Sequence, residues 1–427
     1  MRRSVALLSL VALGACTPEP VDLGELSLEL WQVPGPGQTP FLDEAEEVVV
    51  DVTIENTTST HAVNDDGLTE AIEAAPEGAS VRLVLRASGP FGEATAWPAP
   101  FEVAPGGDTV TRRAVLALPG LTTLSDAAPD ARQRAAACGD GEGAALFVGG
   151  SEGAALAFGS FLLDPVDESV GEGPGLLDRR TGASCVVRGE SAWLLGGCDV
   201  DGTPRATLER SDLRGGPFEA AGDPVPASTG CGAALAVTAD GFALLAGAVL
   251  ERRDADGRVV DEVALPVAHY GGSIAEHPAG GVVVAGGYED PEQIASVSAG
   301  HWWRTTGEVE TLAGLGTGAL LSPGHDELLA ITDDGRLVTL TTEGGIDERF
   351  TSDVVALTAP PAALAPSASG GAWVLTGAGD EVVELSTRSG RRALSLTPPR
   401  PGGQLVAGPG GSTWLGGGAT GAELLQP

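Results

Sequence analysis

The side chains of this 427-residue sequence that could ligate a metal or act as a nucleophile are few: five histidines, two tyrosines and five cysteines. A copper centre needs tyrosine and histidine gathered at one point. The tyrosines are Tyr270 and Tyr288 alone, and His61, His269, His277, His301 and His325 show no paired spacing. No Gly-x-Ser-x-Gly elbow and no phosphate-cradling glycine loop occur. Carboxylates abound, 59 in all, so pairs arise by chance and are not by themselves a hydrolase signature. Asp199-Val200-Asp201-Gly202 and Asp254-Ala255-Asp256-Gly257 open like calcium loops but lack the further oxygen ligands. Asp-Gly is the preferred pair of a tight hairpin, so these read as turns. One cluster stands out in a chain that is only 4% aromatic: Tyr270, His301, Trp302, Trp303 and Arg304, beside His269. Displayed on loops, it would be a binding surface for a sugar face or a partner protein. The competing reading is that Trp302 or Trp303 packs inside the fold.

The elements that hold these residues recur. A short apolar strand ending in small residues appears at 145–150, 192–197, 243–248, 282–287, 328–332, 373–377 and 413–417, at intervals of 40 to 50 residues. Such a period with several short strands per unit predicts an all-β propeller of seven blades, alternatively six. Gly149-Gly150, Gly196-Gly197 and Gly286-Gly287 would mark places where neighbouring backbone leaves no room for a Cβ. The blades occupy 135–427, and the final repeat has room for only three strands. An open ring leaves unpaired edges, so a strand near 114–119 is expected to complete the last blade, giving a propeller domain of 109–427. The alternative is that this strand joins the preceding domain.

That domain, 25–108, alternates apolar and polar residues at Leu26–Val33, Glu47–Glu55, Ser80–Ser88 and Pro100–Pro105, which predicts a small β-sandwich. It is similar in architecture to immunoglobulin-like modules, though without internal cysteines.

Before it, Arg2 and Arg3, an apolar run from Ser4 to Leu13, and Leu13-Gly14-Ala15-Cys16 read as a cleaved signal of residues 1–15 and a tether of 16–24. This stretch resembles the lipobox of bacterial lipoproteins, which implies lipid attachment at Cys16 and a membrane as a partner. No later stretch is long and apolar enough to span a bilayer. Cys138, Cys185, Cys198 and Cys231 then form an even set in an oxidising compartment. Three pairings are open. Their places in consecutive repeats favour Cys138 with Cys185 and Cys198 with Cys231, while zinc lacks an accompanying histidine. The formal charge of −35, with no lysine, argues against nucleic-acid partners.

Gly286-Gly287-Tyr288, followed by Trp302 and Trp303, resembles the kelch family, and with the lipobox the chain looks like surface lipoproteins of Gram-negative bacteria. The resemblance implies anchorage at the outer membrane or cell surface, the periplasmic face included. It also implies a non-enzymatic scaffold that binds a protein or glycan, with no metal and no cofactor. The alternative is a secreted hydrolase or lyase with its site at an acidic propeller mouth.

Overall fold

The computed structural model describes residues 6–9, 26–32, 39, 41–54, 57–62, 72, 75–76, 78–98, 101–103, 110–123, 132–140, 143–153, 155–164, 169–324, 327–367, 371–386, 390–408, 412–419 and 422–426. Cys16, its tether and His325 lie outside them.

From residue 120 onward the described residues include seven four-stranded antiparallel sheets. Their first strands are Ala136–Gly139, Thr181–Arg188, Ala234–Thr238, Ser273–Glu276, Leu320–Pro323, Pro361–Ser367 and Gln404–Ala407. Each packs against the first strand of the next sheet, and the seventh returns to the first. The circle is closed.

The second strands explain why the apolar runs are continuous rather than alternating. Ala145–Val148, Ser191–Cys198, Gly241–Ala246, Val282–Ala285, Leu328–Ile331, Gly371–Thr376 and Thr413–Gly416 are buried at every position. A strand covered on both faces has no polar side to show. Successive side chains point to opposite faces, so each sheet feeds two interfaces. Trp302 joins Val283, Leu328 and Ala330 between the fourth and fifth sheets. Its neighbour Trp303 joins Leu245, Leu250 and Val284 between the third and fourth. Every consecutive pair of sheets has such an apolar cluster. The last lies between the seventh sheet and the first, where Trp414 and Leu424 meet Phe147 and Phe161.

The ring is closed by Gly120–Thr123, which pairs antiparallel with Ala422–Gln426 (Leu121 opposite Leu425) as the fourth strand of the seventh sheet. The strand expected near 114–119 is therefore not the closing one. Val110–Leu116 instead runs parallel to Leu26–Gln32. Leu116 is buried with Val50, Val52, Leu83, Leu85 and Phe101 in the core of the N-terminal region. One residue later, Ala117 belongs to the cluster between the seventh and first sheets. The chain crosses from one core to the other between these two side chains.

The N-terminal region holds a sheet of Thr57–Ala62, Glu47–Ile54, Ser80–Gly89 and Gly92–Ala96, with Phe101–Glu102 also pairing to Ser80–Gly89. A second sheet joins Ala6–Ser9, Leu26–Gln32 and Val110–Leu116. The region is fixed to the ring where Thr95 and Ala117 exchange backbone hydrogen bonds of 2.8 and 3.1 Å, and where Gln426 Nε2 donates to Thr95 O at 2.8 Å. Among the described residues no helix is long and apolar enough to cross a membrane.

Candidate functional site at the channel mouth

First strands all enter from the same face of the ring, so the loops before them and the ends of the second strands surround one mouth of the central channel. The glycine pairs lie there. Gly149 and Gly150 have φ of 63° and 87°, values that side chains rarely adopt. A Cβ on Gly149 would stand 2.6 Å from Arg180 O of the next sheet, and one on Gly150 would stand 2.9 Å from Gln133 O of its own. The pair thus lets one turn touch the entry strands of two sheets.

At this mouth a cavity of about 260 Å³ is lined by Arg134, Ala135, Ala136, Ala137, Gly182, Ala183, Ser184, Cys185 and Gln404. It lies where the seventh, first and second sheets converge, and Arg134 holds the three together. Its N–H donates to Gly402 O at 3.1 Å, and its carbonyl accepts from Gly182 N at 2.9 Å. Its φ is 55°, a strained choice for a side chain of this size that persists when surrounding contacts impose it. The guanidinium lies over Gly182, with Nη2 3.2 Å from where a Cβ would be. The side chain is exposed and makes no ion pair or hydrogen bond among the described residues. A second side chain with positive φ, Gln293 at 60°, is on a loop of the fourth sheet at the same mouth. Asp333, exposed and accepting from Thr317 Oγ1, belongs to the fifth sheet's part of the rim. Ser184 is already engaged: its Oγ accepts from Leu235 N at 2.9 Å, tying the second sheet to the third.

The cysteines are joined as Cys138–Cys185 and Cys198–Cys231. The first bond links the entry strands of the first and second sheets beside the cavity. The second fastens the rim of the second sheet to the loop entering the third.

The aromatic cluster is placed differently from a displayed surface. His301, Trp302 and Trp303 are 2%, 1% and 1% exposed. They are packing residues, as the competing reading of Trp302 and Trp303 had it. Trp302 Nε1 donates to Gly280 O at 3.1 Å, and Arg304 covers its ring at 3.7 Å while pairing with Glu310. The half-buried ring of Tyr270 fills the space left by Gly230 and Gly247.

His301 belongs to a recurring buried slot. In the second sheet Arg180, on the entering loop, donates to Gly196 O at 3.2 Å and pairs with Glu209 on the third strand. In the seventh sheet Arg400 donates to Gly417 O at 3.3 Å and pairs with Glu423 at 3.2 Å. In the fourth sheet the same places hold His269, 2.7 Å from Gly286 O, and His301, 2.9 Å from His269. Gly286 O only accepts, so His269 carries its proton on Nδ1. Its Nε2 then accepts from the Nδ1–H of His301. Burial pushes both imidazoles below their ordinary range, and for His301 the neighbouring His269 adds to the effect. This is a neutral structural pair. His277 is likewise buried, with Nε2 3.2 Å from Leu340 O.

Asp199 and Asp254 spend their carboxylates on backbone N–H groups: Asp201 and Thr203 for the first, Asp256 and Arg258 for the second, all at 2.9 to 3.0 Å. These are turns, and the Thr203 N–H bond is the leading reason why the Asp199 carboxyl sits below its usual range. No group of three or more His, Cys, Asp or Glu placed to hold a metal ion occurs among the described residues.

Sequence reasoning missed Arg134. It sits in a connector with no motif around it, and only ring closure brings it to a three-sheet junction.

No family model matches the chain, and no curated protein does. Solved structures do. A streptogramin B lyase superposes with a TM-score of 0.52 at 16% identity, covering 71% of this chain and 96% of its own. A catalytically inactive His-to-Ala variant of virginiamycin B lyase from Staphylococcus aureus, determined with quinupristin, gives a TM-score of 0.53 at 14% identity, covering 72% and 99%. At these identities the likeness is one of fold. It nevertheless overturns the expectation that this architecture marks a non-enzymatic protein, because the two proteins it superposes on here are lyases. The chain carries a β-propeller of the architecture found in those lyases.

Proposed function

We propose that this chain is a lipid-anchored, extracytoplasmic propeller of seven blades that acts as a lyase or hydrolase, with its site at the channel mouth beside Arg134. The observation that carries the reading is the cavity of about 260 Å³ with an exposed guanidinium on its rim that has no partner among the described residues. A fixed cation in a partly enclosed site stabilises charge that develops on a carboxylate, enolate or oxyanion. The described lining residues include no carboxylate or imidazole, and four of the nine are alanine. A general base would therefore come from the rim, where Asp333 is exposed. The acidity expected of the mouth lies on that rim, and the cavity itself is marked by a positive charge. Two disulfides support an oxidising compartment. Arg2-Arg3 and the Leu13–Cys16 motif support export and acylation at Cys16. Cleavage there would remove Ala6–Ser9 and leave the Leu26–Gln32 and Val110–Leu116 strands paired.

The test is incubation of the mature chain with lactones, a streptogramin B among them, and with esters bearing a free carboxylate, followed by product mass analysis. Elimination leaves the mass of an opened lactone unchanged and creates a conjugated double bond, whereas hydrolysis adds a water. Turnover that is lost in Arg134→Gln supports the reading. No turnover of any member, or turnover indifferent to Arg134, contradicts it.

A further inference from the structure

Large apolar side chains exposed among the described residues are Phe158, Leu177, Val200, Val237, Val259, Val260, Ile294 and Val354. Phe158, Leu177, Val200, Ile294 and Val354 are on loops of the face that carries the cavity. Two of them, Phe158 at 56% and Leu177 at 50% exposed, are on neighbouring loops at the seam between the first and second sheets. Leu176 N donates to Phe158 O at 3.2 Å, which holds the two loops together. The same seam carries Arg134 over Gly182 and, beside Phe158, the exposed Arg179, whose guanidinium lies 5.0 Å from the ring centroid. Neither arginine has an ion-pair partner among the described residues. Asp178, the residue before Arg179, faces Arg205 at 3.7 Å.

In a chain of net charge −35, two arginines without an ion-pair partner among the described residues, one of them lining the cavity, share this seam with two exposed apolar side chains and form a combination with a definite chemical complement. We propose that the seam binds an anionic amphiphile, its carboxylate on Arg134 and its apolar body against Phe158 and Leu177. Burying methylenes against Phe158 and Leu177 favours binding, and a planar guanidinium suits a carboxylate better than an ammonium would. The inference rests on the catalytic reading of the mouth and names the class of substrate that site would accept.

The experiment is isothermal titration of the full chain with dodecanoate below its micelle concentration, with acetate and an uncharged dodecyl glycoside as controls. Dodecanoate is expected to bind, and both controls at least about tenfold more weakly, since each lacks one half of the complement. Arg134→Gln and Phe158→Ser, both exposed positions, are each expected to weaken dodecanoate at least about tenfold with unchanged circular dichroism. Absence of dodecanoate binding, or equal binding by both variants, overturns the proposal. If short carboxylated esters are turned over while dodecanoate is not bound, the amphiphile is wrong and the catalytic mouth survives. If neither occurs, both fall.

Discussion

Replacing Glu209 with leucine tests the buried slot most sharply. Both side chains of the Arg180–Glu209 pair are fully buried. Without Glu209, Arg180 keeps Gly196 O at 3.2 Å, Asp178 O at 3.2 Å and Thr207 Oγ1 at 3.3 Å. None of these neutralises its charge. Removing one partner of a buried pair costs about 3 to 5 kcal/mol, because the remaining ion is stranded. Removing both, as in Arg180→Met with Glu209→Leu, replaces the pair by apolar volume and is neutral or stabilising by about 1 to 4 kcal/mol. Urea unfolding followed by tryptophan fluorescence reads the difference. Trp193, in the same sheet as Glu209, is fully buried and reports directly on that part of the ring. The double-mutant cycle isolates the coupling, provided that each variant unfolds in one transition. A single variant costing less than about 1 kcal/mol would refute the reasoning, as would a double variant no better than the single.

Three further outcomes follow from the same geometry. The His269–His301 pair has imidazoles held below the ordinary value of about 6.5. The unfolded chain therefore binds more protons, and stability is full above that value and falls as pH drops through it. Urea midpoints compared at pH 8 and pH 5 should show this, and His269→Gln with His301→Gln should reduce it, leaving the part that buried His277 contributes in the same direction. A flat profile in the parent chain contradicts the pair's neutrality. Opening the Cys138–Cys185 bond, whose cysteines are 47 residues apart, should cost about 4 kcal/mol on chain-entropy grounds. Cys138→Ser with Cys185→Ser measures it, and a loss under about 1 kcal/mol contradicts the expectation. A chain beginning at residue 124 lacks Gly120–Thr123 and exposes the edge of Ala422–Gln426, so it should associate in light scattering while a chain beginning at 117 stays monomeric. Equal behaviour of the two would remove the closing role of that strand.

The sequence carried the ring in its second strands, because a strand covered on both faces must be apolar throughout and leaves a recurring run such as Val282–Ala285. The closing strand was displaced by a few residues for a plain reason. Val110–Leu116 and Gly120–Thr123 are both short β-prone stretches, and only the partners, Leu26–Gln32 for one and Ala422–Gln426 for the other, tell them apart. Trp302 and Trp303 suggested a surface because rare aromatics side by side look displayed. In a doubly covered sheet, neighbours along a strand enter two different cores, so both are buried. Arg134 had no local signal at all. Its importance comes from backbone hydrogen bonds to Gly402 and Gly182, which lie in sheets at opposite ends of the ring sequence.

Chemistry at the mouth beside Arg134 can be tested directly. Product analysis after incubating a carboxylated lactone with the parent chain, with Arg134→Gln and with Arg304→Gln addresses it directly. The expected result is turnover by the parent and by Arg304→Gln, whose arginine is engaged with Trp302 and Glu310, and a loss of at least about tenfold in Arg134→Gln. Equal turnover by all three, or none by the parent, would contradict it.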